Sequence, residues 1–533
     1  MIDRRFLWRD RALIVAAIGV AAVFWSQYVW VRASNFHGTD EWVFQWVAAR
    51  GILSSPYSNR PFNFLWTIPG AHVGARGFAG FYAVHGLYLL GTALVTLALC
   101  HRLLPQRPRL GFLIAVFAAV WAPSDYSRLA TVQMTVNSGF TFGALIAIWL
   151  YVASWQQRSR LLLLLAAAWA LLMVRGYEAV APLIFAAPLL LVGEWRAERR
   201  SARLWLAVWT ATAVVAAALV LPPLIRPDPR VAYQATLMQI DARPARLAVR
   251  LAQEYRSHLL PALTASPALL RTPAVLISAA LFALAFLAVS RTSPPEAGSR
   301  RALWWAAALG LVLAALCYSA FLPSLVVEPG DRTEILAMPA IGMLLAAAIA
   351  LVASALPLRW RSLAMGTLAA WIVAVAAMRT LQIQRSWDAV SYYGRQVRLL
   401  GDLIRVAPRL KPHTLIVLVG DTAAFPATFA FRHAVECVYP GGVTGVLASG
   451  PEALYVSRLT ASGIDTEPWP VLWKPWGVSP THHRFDEMVV ARARADGSAT
   501  IEPSWPADLP PLPPGQSYDP RARVLDGAAG SPK

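Results

Sequence analysis

Asp40 and Glu41 stand side by side in the segment Gly38-Thr39-Asp40-Glu41-Trp42, a few residues beyond an apolar run at 12–31. Adjacent carboxylates at a water–lipid boundary suit the removal of a proton from a hydroxyl as it attacks an electrophilic carbon. Partial desolvation there raises carboxylate basicity. The same pair fits a plainer role, because acids in the first turn of a helix at 39–50 complement its dipole. His37 completes a His-x-x-Asp-Glu cluster that could hold a divalent cation. A polar boundary histidine is the favoured reading, so no metal is assigned.

Other polar residues offer less. Asp125 and Arg128 either line the same cavity or pair with each other, and His85 is expected to find a hydrogen-bond partner within the bundle. His482 and His483, near Asp486 and Glu487, precede a strand and read as a solvated loop. Asp421 follows a strand, but 422–425 contains no glycine-rich phosphate loop, so nucleotide binding is not expected. The sequence has no Walker motif, no GxSxG elbow and no HExxH. Cys100 and Cys317 lie in apolar runs and Cys437 is isolated, which implies neither a disulfide framework nor a zinc site.

The elements that must position these residues are mostly helices in lipid. Of 533 residues, 57% are hydrophobic and 14% charged, the signature of a polytopic membrane protein. The net charge of +19 is not read as nucleic-acid binding, because arginines cluster between apolar runs as the positive-inside bias requires. Eleven spans are expected, at about 12–31, 80–100, 110–123, 139–155, 161–174, 179–193, 204–225, 272–290, 302–322, 334–356 and 362–380. The third, fifth and sixth are short, and the fifth and sixth also read as one broken helix around Arg175-Gly176-Tyr177-Glu178. The first run is longer than a usual signal core and is read as an uncleaved anchor. The expected fold is therefore an all-α bundle in a bacterial cytoplasmic membrane, with the N-terminus cytoplasmic and the C-terminus outside.

Two outside loops are long. In the first, 32–79, Trp42, Val43, Trp46, Val47 and Leu53 share a helix face, which suits a helix lying in the headgroup layer. In the second, 226–271, Arg243, Arg246 and Arg250 line one helix face. Residues 1–380 thus form the membrane domain. Residues 381–510 are expected to form a small extramembrane α/β domain, with a strand at 414–420 and a hairpin at 487–501. Residues 511–533, rich in Pro, Gly and Ala, are expected to be disordered.

The stretch 38–65, GTDEWVFQWVAARGILSSPYSNRPFNFL, resembles the first outside loop of C-type membrane glycosyltransferases, in particular the protein O-mannosyltransferase and aminoarabinose-transferase group. Its Asp-Glu pair follows the first span, and Tyr57, Asn59, Pro61 and Phe62 match the group's return to the membrane. The Lys-Pro-Pro that often follows is missing. The run 171–178 (LLMVRGYE), with Glu178 at its end, is similar to the superfamily's Arg-Gly or Arg-x-Glu break, and 332–339 resembles its Arg-led late helix. Asn137 stands where many members have Asp, which weighs against a second acidic site and against metal dependence.

The resemblance implies an inverting transfer of a sugar from a polyprenyl-phosphate donor to an acceptor hydroxyl of a protein, lipid or glycan. Asp40 would be the base, and Glu41 would orient the acceptor or tune Asp40. The leaving phosphate needs cations: Arg332 and Arg175 first, then Arg243, Arg246 and Arg250. Each also fits a snorkelling or solvated arginine. His37, Tyr57, Asn59, Asp125, Arg128 and Glu178 would line the substrate cavity. Two other readings compete. A transporter or flippase for a lipid-linked substrate would favour broken helices and mid-membrane charges, whereas here the charges gather at the outside boundary. A non-catalytic assembly protein would not need so many spans.

Overall fold

Within lipid a backbone satisfies its own polar groups only as a helix or a closed barrel, so the apolar runs fold as helices. The computed structural model describes residues 11–33, 35, 39–55, 60–73, 78–225, 240–262, 267–293 and 299–525. The main helices are α1 (Arg11–Tyr28), α2 (Glu41–Ala49), α3 (Ala79–Leu103), α4 (Pro108–Val120), α5 (Thr135–Gln156), α6 (Arg160–Gly176), α7 (Arg199–Ile225), α8 (Pro244–Leu259), α9 (Pro273–Thr292), α10 (Arg300–Ser319), α11 (Glu334–Ser354) and α12 (Leu358–Val390).

Among the described residues nine stretches are long and apolar enough to cross a membrane: α1, α3, α5, the segment Glu178–Trp195, most of α7, and α9 to α12. The chain is a multi-pass membrane protein, and among the described residues nine of the eleven expected spans reach full length. The third and fifth expected spans are helices of 13 and 17 residues. Every residue of α4 from Leu110 to Val120 is buried, with α1, α3, α9 and α11 packed around it. At roughly 20 Å long, α4 is shorter than the ~30 Å hydrocarbon layer, and a helix walled by other helices has no lipid thickness to match. Glycines permit close approach: a Cβ on Gly310 of α10 would meet Ala340 O and Leu344 N of α11 at 2.8 Å.

The fifth and sixth expected spans are divided at Tyr177, whose backbone is extended (φ −155°, ψ 99°). Beyond it the chain alternates 3₁₀ and α turns to Ala197, with Pro182 and Pro188 interrupting helical hydrogen bonding.

The C-terminal domain begins with α13 (Tyr393–Val406). A four-stranded sheet holds β1 (Leu415–Gly420) between, and parallel to, β2 (Thr444–Leu447) and β6 (Met488–Ala493). The expected hairpin is present: β6 pairs antiparallel with β7 (Ala499–Ile501) through a turn containing Gly497 at φ +82°. A second, antiparallel sheet joins β3 (Tyr455–Leu459), β4 (Gly463–Pro468) and β5 (Thr481–Arg484). Helix α14 (Thr428–Val438) packs against β2 on one side and α2 on the other.

The expected disordered tail is ordered through residue 525. Tyr518 donates to Glu502 O (3.0 Å) and accepts from Val490 N–H (2.9 Å), Leu512 packs against the sheet, and Lys411 N–H donates to Arg523 O (3.0 Å). Proline-rich composition suggested disorder, but a few apolar anchors suffice to tie down a chain that proline has already stiffened. Residues 526–533 lie outside the described residues.

Candidate active site

Helix α2 sets the position of Asp40. Asp40 is its N-cap, and its carbonyl accepts from Phe44 N–H at 2.9 Å. Trp42 and Trp46 are 8% and 3% exposed and lie under protein. Trp42 Nε1 donates to Gln396 Oε1 at 2.9 Å, and its ring meets Phe78 at 5.1 Å. Trp46 packs against His433 (4.7 Å) and Trp476 (5.8 Å) of the C-terminal domain. The expectation that this tryptophan face lies in the headgroup layer is therefore corrected. Helical periodicity tells which residues share a face, and a protein domain covers an apolar face as well as lipid does.

With that face buried, Asp40, Val43 and Phe44 point into a cavity of about 660 Å³. Ser55, Arg60, Asn63, Gln133, Tyr177, Glu178 and Arg332 supply its other polar lining. The lining contributed by α6, α7 and the broken segment between them includes an apolar wall of Val174, Pro182, Phe185, Ala213, Ala216, Ala217, Val220 and Leu221. The C-terminal domain closes another side with Phe429, Ala453, Leu454 and Trp469. Leu454 adopts φ +68°, unusual for a branched residue, and its carbonyl accepts from Trp469 N–H at 2.8 Å.

Asp40 Oδ2 accepts from Gln133 Nε2 at 3.1 Å. Burial pushes the Asp40 carboxyl above its ordinary range, and the positive charge of Arg332 only partly opposes the rise. Glu41 is 1% exposed and does not line the cavity. Glu178 lines it and is held bidentately by Arg60, Nε to Oε2 at 2.6 Å and Nη2 to Oε1. The Arg60 guanidinium also lies 5.2 Å from the Tyr177 ring centre. Asn137 donates to Tyr177 Oη at 2.9 Å.

Of the proposed phosphate-binding arginines, Arg332 lines the cavity. Arg175 does not; its Nη1 donates to Leu219 O at 3.1 Å. Arg243 is exposed and clasps Asp241 (2.6 Å). Arg246 donates to Ser324 O (3.0 Å), and Arg250 to Glu328 Oε2 (2.8 Å) and Val327 O (3.2 Å). Arg246 and Arg250 therefore tie down a loop whose Ser324 and Val327 line the cavity, without entering it themselves. His37, Tyr57 and Asn59 lie outside the described residues.

Asp125 and Arg128 are 0% and 5% exposed and form no part of the lining. They belong to a buried polar cluster behind Arg332. Arg332 has φ +55°, a conformation costing a residue with a Cβ roughly 1–2 kcal/mol. Its N–H donates to Asp125 Oδ1 (3.0 Å) and Ser127 Oγ (2.9 Å). Glu334 accepts from Ser124 N–H (3.3 Å), Asp125 N–H (3.2 Å) and the Ser124 hydroxyl. Glu254 accepts from Thr333 Oγ1 (2.8 Å), and burial pushes its carboxyl up to about 7. His258 contacts Tyr318 Oη (2.5 Å) and Trp121 O (3.3 Å), and burial lowers its pKa to about 4, so it is neutral. Burial also raises the Asp125 carboxyl, with the nearby Glu334 charge adding to the rise.

Sequence reasoning missed Arg60, Gln133, Tyr177 and the C-terminal wall. Arg60 lies within the resembling stretch 38–65, so that segment carried a signal; Gln133 and Trp469 carried none. Among the described residues no group of three or more His, Cys, Asp or Glu could hold a metal ion.

No protein-family model matches the chain, and no curated protein matches it significantly. Among solved structures, it is similar to the archaeal oligosaccharyltransferase AglB from Archaeoglobus fulgidus, solved in complex with an inhibitory peptide and a dolichol-phosphate. Sequence identity is 14% and the TM-score 0.38. The match covers 83% of this chain and 64% of that one, so this chain spans less than two thirds of its neighbour's length.

Proposed function

We propose that the protein is a membrane glycosyltransferase that moves a sugar from a polyprenyl-phosphate donor to an acceptor hydroxyl on the extracytoplasmic face of a bacterial cytoplasmic membrane, with inversion at the anomeric carbon. One observation carries the reading: Asp40 and Arg332 line the same cavity, to which α6 and α7 contribute an apolar wall of Val174, Ala213, Ala216, Ala217, Val220 and Leu221. The donor's lipid tail lies along the apolar wall of α6, α7 and the broken segment between them. Its phosphate meets the Arg332 guanidinium, which stabilises the negative charge that grows as the glycosidic C–O bond breaks. Asp40 accepts the proton of the acceptor hydroxyl as the new C–O bond forms on the opposite face of the sugar. A desolvated carboxylate with a raised pKa is a stronger base than a solvated one, which suits it to this step. Gln133 fixes the orientation of the Asp40 carboxylate, and Glu178 with Arg60 offers polar contacts for sugar hydroxyls. The sugar is a hexose or a pentose, and no metal is assigned to the reaction.

The test is transfer by purified protein from a polyprenyl-phosphate sugar, with products read by mass spectrometry. Asp40→Asn keeps the shape and removes the base, so turnover should fall by about 10²–10⁴-fold while the protein still folds and inserts. Full activity in that variant would end the assignment. A transporter would move the donor and form no product.

A further inference from the structure

We propose that Asp125 is a positioning residue: its carboxylate fixes the main chain of Arg332 in the left-handed conformation that presents the guanidinium to the cavity shared with Asp40. The proposal rests on the assignment of Arg332 to the donor phosphate. Asp125 is fully buried and outside the cavity lining, so it cannot touch a substrate. One oxygen, Oδ1, gathers three donors: Arg332 N–H (3.0 Å), Ser127 Oγ (2.6 Å) and Arg128 N–H (3.2 Å). Ser127 Oγ in turn accepts from the same Arg332 N–H (2.9 Å).

Capping the short 3₁₀ turn at Tyr126–Leu129 would by itself call for neither burial nor a bond to a residue some two hundred positions away. Among the described residues Asp125 Oδ2 has no hydrogen-bond partner, a cost that capping alone does not justify. The tie is also reciprocal. Asp125 N–H donates back to Glu334 Oε2 (3.2 Å), so the segments around 124–127 and 330–334 are latched in both directions. Gly330 at φ +81° lets the chain reverse just before Arg332. Arg332 cannot reach its position as cheaply as a glycine would, and without acceptors for its N–H the backbone relaxes and the guanidinium leaves the cavity wall.

The experiment uses the full-length protein in detergent and farnesyl phosphate, a short form of the product common to any polyprenyl-phosphate donor, with farnesol as the control lacking phosphate. Wild type should prefer farnesyl phosphate, and Arg332→Ala should weaken that binding roughly ten- to a hundredfold without affecting farnesol. Asp125→Ala should weaken it by a similar factor, and the double variant Asp125→Ala/Arg332→Ala should bind no worse than Arg332→Ala. Asp125→Asn keeps an acceptor oxygen at Oδ1 and should stay within about threefold of wild type. Phosphate-dependent binding that Asp125→Ala leaves intact, or losses that add in the double variant, would overturn the positioning role alone. A wild type that does not distinguish farnesyl phosphate from farnesol would overturn the phosphate assignment of Arg332 and this proposal with it. If thermal melting shows that Asp125→Ala is unfolded, Ser127→Ala decides: it removes the second acceptor and should weaken binding several-fold, and unchanged binding counts against the proposal.

Discussion

Asp40 is surrounded by groups that pull its ionisation in opposite directions. Burial favours the neutral acid and Arg332 favours the carboxylate, with burial the larger effect. A general base works only when deprotonated, so on the proposal that Asp40 is the base, kcat/KM should fall as pH drops through its pKa. The midpoint of that limb should lie above the ordinary carboxylate range. Removing Arg332 takes away the opposing charge, so in Arg332→Gln the limb should move to higher pH at lower overall activity. A pH–rate profile of the two proteins reads both effects, and a limb at the same pH in each would separate Arg332 from Asp40 electrostatically. Arg60 and Glu178 illustrate what residue types alone do not disclose. Glu178 was legible beside the break at Tyr177, but its bidentate partner Arg60 is 118 positions away, and nothing in either segment pairs the two.

At the level of elements, composition located nearly every helix but misjudged what α2 faces. The 13-residue α4 reads as a short membrane span because its residues are as apolar as those of its neighbours; its complete burial follows from the helices around it. Helix α2 reads as a membrane-surface helix because its tryptophans share a face, and the C-terminal domain occupies that face instead. Packing between α10 and α11 depends on one small residue. A side chain at position 310 would run into the α11 backbone at 2.8 Å, which cannot swing aside as a flexible side chain would. Gly310→Leu should therefore destabilise the bundle by about 1–3 kcal/mol. Thermal melting in detergent checks this, and an unchanged midpoint would mean that the two helices separate at little cost.

Over the whole molecule, the membrane bundle and the C-terminal domain share one continuous hydrophobic core running through Trp46, Ala430, Phe431 and Trp476. The C-terminal domain is therefore part of the cavity's construction: it supports the helix that starts at Asp40 and supplies Phe429, Leu454 and Trp469 to the lining. Trp46→Ala in the full-length chain removes the ring that joins the two, a loss of about 3–5 kcal/mol of packing for a buried aromatic. It should lower transfer by at least about tenfold, since small displacements of a catalytic group are costly, and it should make α2 more sensitive to limited proteolysis. Normal activity with α2 newly exposed would show that Asp40 is positioned without the C-terminal domain.

The sequence by itself determined the apolar runs, the helix that begins at Asp40, the β6–β7 hairpin and the break before Glu178. All of these follow from periodicity, turn chemistry and backbone rules acting over a few residues. Tertiary structure alone decided that Asp40, Gln133, Glu178 and Arg332 meet in one cavity, that Arg175, Arg243, Arg246 and Arg250 do not enter it, and that Asp125 holds Arg332 from behind. The cavity's assembly depends on contacts between segments far apart in the chain, 93 residues for Asp40 with Gln133 and 207 for Asp125 with Arg332. Such contacts are set by how whole helices pack, which no local pattern of residue types encodes.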